Sequence, residues 1–127
     1  MESKNIVLFE TYEGVRFVLE RSLRKFEHTI NIHSSHLRRE IEQILRKNDV
    51  NLLITELNQK NSDGLAVSAF GRQISPDLSI IWITVLGCNL FRQQKKELGN
   101  IFCIEKPLAI EDFREKVSQA LDIHIHS

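Results

Sequence analysis

The stretch Asn51-Leu52-Leu53-Ile54-Thr55-Glu56-Leu57, followed by Asp63-Gly64-Leu65, decides how the rest of the chain is read. Leu52, Leu53 and Ile54 form a continuous apolar run. A run of that kind belongs to a strand covered on both faces, the usual environment of a parallel sheet. It leads to a carboxylate, Glu56, and then to a polar stretch from Asn58 to Gly64. A buried strand that ends on an acid and a polar loop is how parallel α/β sheets present chemistry.

Working outward, the same alternation recurs on both sides. Ile6-Val7-Leu8-Phe9 is a second buried-type run. Val15, Val18, Leu19 and Phe26 then follow at helical spacing, with Arg16, Glu20, Arg21 and Arg24 between them and Thr11 placed as N-cap. Thr29 to His33 alternates polar and apolar residues, as an edge strand does. Ser34 or Ser35 is placed to cap a helix whose apolar face is Leu37, Ile41, Ile44 and Leu45. A weaker helical pattern covers Leu65 to Ile74, where Gly71 interrupts it. Ser75-Pro76-Asp77 marks a loop. Leu78 to Leu86 is the richest β run, Asn89 to Glu97 suits a short exposed helix, Ile101 to Ile104 a last strand and Ile110 to Leu121 a last helix. Five strands alternating with five helices predict an α/β fold, a five-stranded parallel sheet wound on both faces.

Composition narrows the function. The chain has 127 residues, the size of one domain, and residues 1–127 are read as a single unit. Seventeen basic and seventeen acidic side chains cancel, so the chain lacks the basic excess that selects nucleic acid or a membrane surface. Protein or small-molecule partners are expected instead. Cys88 and Cys103 have no metal-type spacing and are expected to be free thiols in a cytoplasmic protein. The apolar run near the N-terminus is too short for a leader core or a membrane span.

In a doubly wound sheet, ligands gather at the carboxyl ends of the strands. Glu10 and Thr11 end the first strand, Glu56 the third, Thr84 lies late in the fourth, and Lys106-Pro107 follows the fifth. This constellation resembles the receiver domain of bacterial two-component response regulators, in order and over nearly the whole chain. The resemblance implies a CheY-like, flavodoxin-like (βα)5 domain with strand order 2-1-3-4-5. It also implies a pocket in which an acidic pair after the first strand holds Mg²⁺ and an aspartate on the third strand accepts a phosphoryl group. The lysine after the fifth strand and a hydroxyl on the fourth would then contact that group.

The chain departs from the family pattern at four positions. Glu56 stands in the acceptor place, one methylene too long, and a displacement of about an ångström can cost ~100-fold in rate. Glu10 and Thr11 replace the acidic pair, so Mg²⁺ could be held only weakly, by Glu10 and Glu56. Val85 follows Thr84 where a small residue is usual and is expected to crowd the mouth of the pocket. Cys103 takes the place of the switching aromatic, three before Lys106, with Phe102 one position off.

The resulting expectation is an atypical, non-enzymatic pseudo-receiver that signals through protein contacts without ordinary aspartate phosphorylation. Lys106 would pair with Glu56, and Thr84 would bond the carboxylate. Partners, or a second copy of the chain, are expected on the face of the fourth helix, fifth strand and fifth helix, bearing Phe91, Arg92, Lys95, Lys96, Glu105, Glu111, Asp112 and Glu115. The alternatives are a working phosphoacceptor that uses Glu56 with Mg²⁺, the N-terminal regulatory domain of a transcriptional regulator, or an unrelated flavodoxin-like ligand-binding domain.

Other signals are read as structural. His33 and His36 lack the further ligands of a metal site, and His124 and His126 lie in a tail. No GxSxG, GxGxxG or GxxxxGK[ST] occurs. Trp82 is read as core.

Overall fold

Apolar strands with no polar face can be buried only if helices cover both sides, and the chain does this with right-sized crossovers. In the computed structural model, which describes residues 3–58 and 60–121, the strands are β1 (Lys4–Phe9), β2 (Ile30–Ser35), β3 (Leu52–Leu57), β4 (Ser79–Thr84) and β5 (Ile101–Glu105). The helices are α1 (Glu13–Leu23), α2 (Arg38–Lys47), α3 (Asp63–Ile74), α4 (Arg92–Leu98) and α5 (Ile110–Leu121). All neighbouring strands are parallel, in the order β2-β1-β3-β4-β5. Fold class and strand order are those expected, and no described helix is long and apolar enough to cross a membrane.

Side-chain alternation along the strands divides the core into two layers. Ile6, Leu8, Leu52, Ile54, Ile81, Ile83 and Ile104 face α1 and α5, meeting Leu19, Leu23, Phe113, Val117 and Leu121. Val7, Phe9, Leu53, Leu57, Ile80, Trp82 and Ile101 face the other way, toward Ile41 and Leu45 of α2 and Val67 of α3. Each such side chain contributes about 1.5–3 kcal/mol on burial. Trp82 is fully buried, as expected, and its indole N–H donates to Ser68 Oγ at 2.9 Å, so the polar end of the ring is satisfied.

Several expectations are corrected by tertiary contacts. α3 begins at Asp63, two residues before the predicted start, with Gly64 inside the helix. A Cβ on Gly64 would stand 2.2 Å from the Glu56 carbonyl oxygen, so the glycine lets the helix start lie against the end of β3. Gly71 is likewise a packing glycine, because a Cβ there would meet Leu78 Cδ2 at 2.7 Å. Thr11 does not cap α1, whose N-cap is Tyr12 with no side-chain bond. Neither Ser34 nor Ser35 is the N-cap of α2, which is Leu37 with no side-chain cap bond; Ser35 Oγ instead accepts from the Leu37 N–H and donates to Glu40. Phe91 does not belong to the surface, for it is buried and packs edge-on against Trp82 at 6.3 Å between centroids.

The cysteines are not free thiols. The pairing of β4 with β5 brings the turn after β4 beside β5, and Cys88 and Cys103, with Cα atoms 6.0 Å apart, form a disulfide. Strand adjacency decides this, and a sequence separation of 15 gives no sign of it. His33 lies half-buried in β2 and His36 is exposed; His124 and His126 fall outside the described residues.

Arg72 of α3 fastens the far end of α4. Its guanidinium donates to the carbonyls of Leu98, Gly99 and Asn100, while its Nε donates to that of Leu78 at 2.7 Å. Gly99 there has φ +68° and ψ 159°, a backbone region open essentially to glycine alone.

The two kinds of glycine give a direct test. Gly64→Ala is expected to lower stability by at least about 2 kcal/mol, because the helix must move off the strand. Gly14→Ala, where nothing lies within 4 Å, is expected to raise it by about 0.5 kcal/mol. Urea denaturation of both variants reads the two signs.

Candidate functional site

The sheet order changes direction between β1 and β3, and the crevice at the carboxyl ends of these strands is where this architecture holds a site. The chain brings Glu10 and Thr11, just after β1, Glu56 of β3, Thr84 of β4 and Lys106, just after β5, to that rim. A cavity of about 570 Å³ opens over it, lined among others by Thr11, Tyr12, Glu56, Asn58, Leu86 and Lys106.

Lys106 is the centre of the cluster. Its Nζ lies 3.1 Å from Glu10 Oε1 and 3.1 Å from Glu56 Oε2. The ammonium also stands 5.4 Å over the ring of Tyr12. The remaining carboxylate oxygens are occupied too. Glu10 Oε2 accepts the Tyr12 N–H at 3.2 Å. Glu56 Oε1 accepts from Thr11 Oγ1 at 2.9 Å and from Asn58 Nδ2 at 3.3 Å. Every oxygen of the two carboxyl groups therefore meets a donor of the protein itself.

Burial makes the cluster sensitive to charge. Glu10 is 1% exposed and Glu56 9%. Burial, and then a carboxyl–carboxylate hydrogen bond to Glu56, push the Glu10 pKa from its ordinary 4.5 up to about 7. For Glu56 burial acts upward, but bonds from Glu10, Thr11 and Lys106 outweigh it and hold the group low. Lys106 is likewise desolvated, yet the two carboxylates hold its ammonium above the ordinary range. The cluster is thus one cation, one firm anion and one acid that is about half protonated near neutrality.

Mg²⁺ wants near-octahedral oxygen ligands and gives up its water reluctantly. Here Thr11 offers a neutral hydroxyl already turned to Glu56, and Glu10 is only partly ionised near neutral pH. Lys106 occupies the side of both acids that an ion would need. The residues present do not fit the metal, with Glu10 and Glu56 as its expected ligands.

One detail departs from expectation. Thr84 does not bond a carboxylate: its Oγ1 accepts the N–H of Leu86 at 3.0 Å and closes its own turn. Val85 is 65% exposed and stands in the lining of the cavity, the place expected of it. Sequence reasoning missed Tyr12 and Asn58. Asn58 also folds the next loop, its Oδ1 accepting from the N–H groups of Lys60 and Asn61 at 3.0 Å. An asparagine two positions beyond a strand-end acid was the available sign.

No family model and no curated protein matches the chain. Solved structures do match. The non-phosphorylated HemR receiver domain from Leptospira biflexa superposes with a TM-score of 0.83 at 20% identity, covering 98% of this chain and 99% of that one. A response regulator receiver protein from Sinorhizobium medicae gives 0.80 at 20%, over 95% and 96%. A CheY-like receiver domain protein from Methanospirillum hungatei gives 0.82 at 16%, over 95% of each chain. What these structures share with this chain is its architecture from end to end, and that architecture is the CheY-like receiver fold.

Proposed function

We propose that this chain is a pseudo-receiver, a cytoplasmic signalling module of one domain that works through protein contacts and not through an aspartyl phosphate. The observation that carries this reading is the double ion pair of Lys106 with Glu10 and Glu56. In a working receiver the lysine meets the incoming phosphoryl group and the acids hold a metal, so both must give up other partners first. Here lysine and acids satisfy one another, and Thr11, Tyr12 and Asn58 take the oxygens that remain. Glu56 supplies a fixed negative charge beside the lysine, so the pocket rests in one state.

Output then belongs to surfaces. Arg92, Lys95 and Lys96 on α4, Glu105 on β5, and Glu111, Asp112 and Glu115 on α5 are exposed, which supports a mixed-charge docking face for a protein partner or a second copy. No enzymatic activity and no direct binding of nucleic acid or membrane is proposed. A place as the regulatory domain of a transcriptional regulator is compatible with this face.

Two experiments test the reading. Incubation with acetyl phosphate and Mg²⁺, followed by intact mass, is expected to give no adduct, or labelling at least ~100-fold slower than a competent receiver treated alongside. A phosphoryl adduct that disappears in Glu56→Ala would instead make Glu56 a working acceptor.

The second experiment uses pH. Between about pH 4.5 and 7 the folded chain holds more protons at Glu10 than the unfolded chain does. The contribution of Glu10 to stability is therefore full below pH 4.5 and lost as the pH rises to about 7. Glu56 acts in the opposite sense and in a different window, its contribution being lost as the pH falls below 4.5. Glu10→Gln is expected to remove a decline on the order of 2–3 kcal/mol between pH 4.5 and 7, read by urea denaturation at several pH values. An unchanged slope in the variant would mean that Glu10 does not hold the shared proton.

A further inference from the structure

We propose that the Cys88–Cys103 pair is a reversible thiol–disulfide switch that fastens or frees α4. The bond joins the turn after β4 to the middle of β5 and closes a loop of chain that contains the whole of α4. α4 needs such a fastening, because none of its seven residues is buried. Its C-terminal end is held by Arg72 through the carbonyls of Leu98, Gly99 and Asn100. Its N-terminal end is held through the short turn Cys88–Phe91, by the disulfide at one end of that turn and Phe91 against Trp82 at the other. The N–H of Cys88 also donates to Glu105 Oε1 at 2.9 Å, so the turn and β5 meet at two adjacent places.

Three features mark the bond as a switch and not as a staple for folding. First, both sheet faces carry a full apolar layer, so the domain has a core without the bond. Second, both cysteines are only half-buried, and Gly87, Asn89 and Leu90 around Cys88 are exposed, so an attacking thiol has access. Third, the cross-link acts on α4, which, alone among the described α-helices, has no fully buried residue and reaches the core through half-buried Leu98, so local constraint changes most there.

The chemistry balances with a small or protein dithiol as reductant. One of its thiolates attacks a sulfur of the pair, breaking the S–S bond and forming a mixed disulfide; the released cysteine thiolate takes a proton. The second thiol of the reductant displaces the remaining cysteine, which is protonated in turn. Two electrons and two protons pass to the protein, leaving two thiols and the oxidised reductant. A disulfide of the glutathione class reverses the sequence.

The switch rests on the pseudo-receiver reading only for its consequence, since α4 lies on the proposed docking face. Its test is independent of any partner. The full chain is equilibrated in glutathione buffers of graded redox ratio, thiols are counted by alkylation and intact mass, and amide hydrogen exchange is followed in the oxidised and reduced forms. The expected result is two alkylated thiols in the reduced, still folded protein, reversible closure, and at least a tenfold faster exchange for residues 92–98 on reduction, with α2 and α3 unchanged. Cys88→Ser and Cys103→Ser should show the fast exchange without reductant. A bond that opens only on global unfolding, thiols that never pair, or equal exchange at 92–98 in both forms would each overturn the proposal. A phosphoryl adduct on Glu56 would sink the pseudo-receiver reading and leave the switch standing.

Discussion

The ammonium of Lys106 stands between two carboxylates that would otherwise face one another across a desolvated crevice. Two like charges at such spacing cannot both stay ionised without a cation, because the interior screens them weakly. One lysine answers for both, and the shared proton of Glu10 supplies the rest of the balance. The carboxyl ends of β1 and β3 and the segment after β5 are thereby tied through side chains as well as through the sheet. A buried ion pair of this sort is weak testimony for stability but a strong device for fixing one arrangement, since breaking it strands a charge.

The ion cluster exists only because the sheet is parallel. Parallel strands all end on the same rim, so acids and a lysine separated by up to 96 positions in the chain arrive together. The apolar runs do the rest. With both faces covered, the strand interiors admit no polar group unless it is bonded, and chemistry is displaced to the ends. Thr55 and Ser68 illustrate the cost of exceptions: each is fully buried, and each hydroxyl bonds a backbone carbonyl.

Legibility in the sequence followed the range of the interaction. The runs Ile6–Phe9 and Leu52–Ile54 announced their strands because burial on two faces acts on consecutive residues. Glu10, Thr11, Glu56, Thr84 and Lys106 could be placed at the rim once the strands were placed. What each side chain does there was less visible. Thr11 was open to capping its own helix or serving a distant acid, and Glu56, 45 positions away, took the bond. Thr84 Oγ1 accepts a local N–H, a bond within its own turn that the strand pattern does not announce. Gly64 read as loop because its reason, the nearness of the Glu56 carbonyl, is a contact between elements. The cysteine pair was hidden for the same cause: only the neighbouring of β4 and β5 brings the two sulfurs together.

The guanidinium of Arg72 has a mechanical consequence. By gripping three successive carbonyls from the last residue of α4 onward, it makes that end of the helix a pivot. A rod of seven residues pinned at one end can swing but not slide, and its arm is about 10 Å long. Were the Cys88–Phe91 turn to release the other end, displacement would grow with distance from the hinge: Leu98 would stay nearly in place while Arg92 would sweep the widest arc. The charged side chains along α4 are thus graded in travel, and a partner resting near Arg92 would feel a motion that one resting near Leu98 would not.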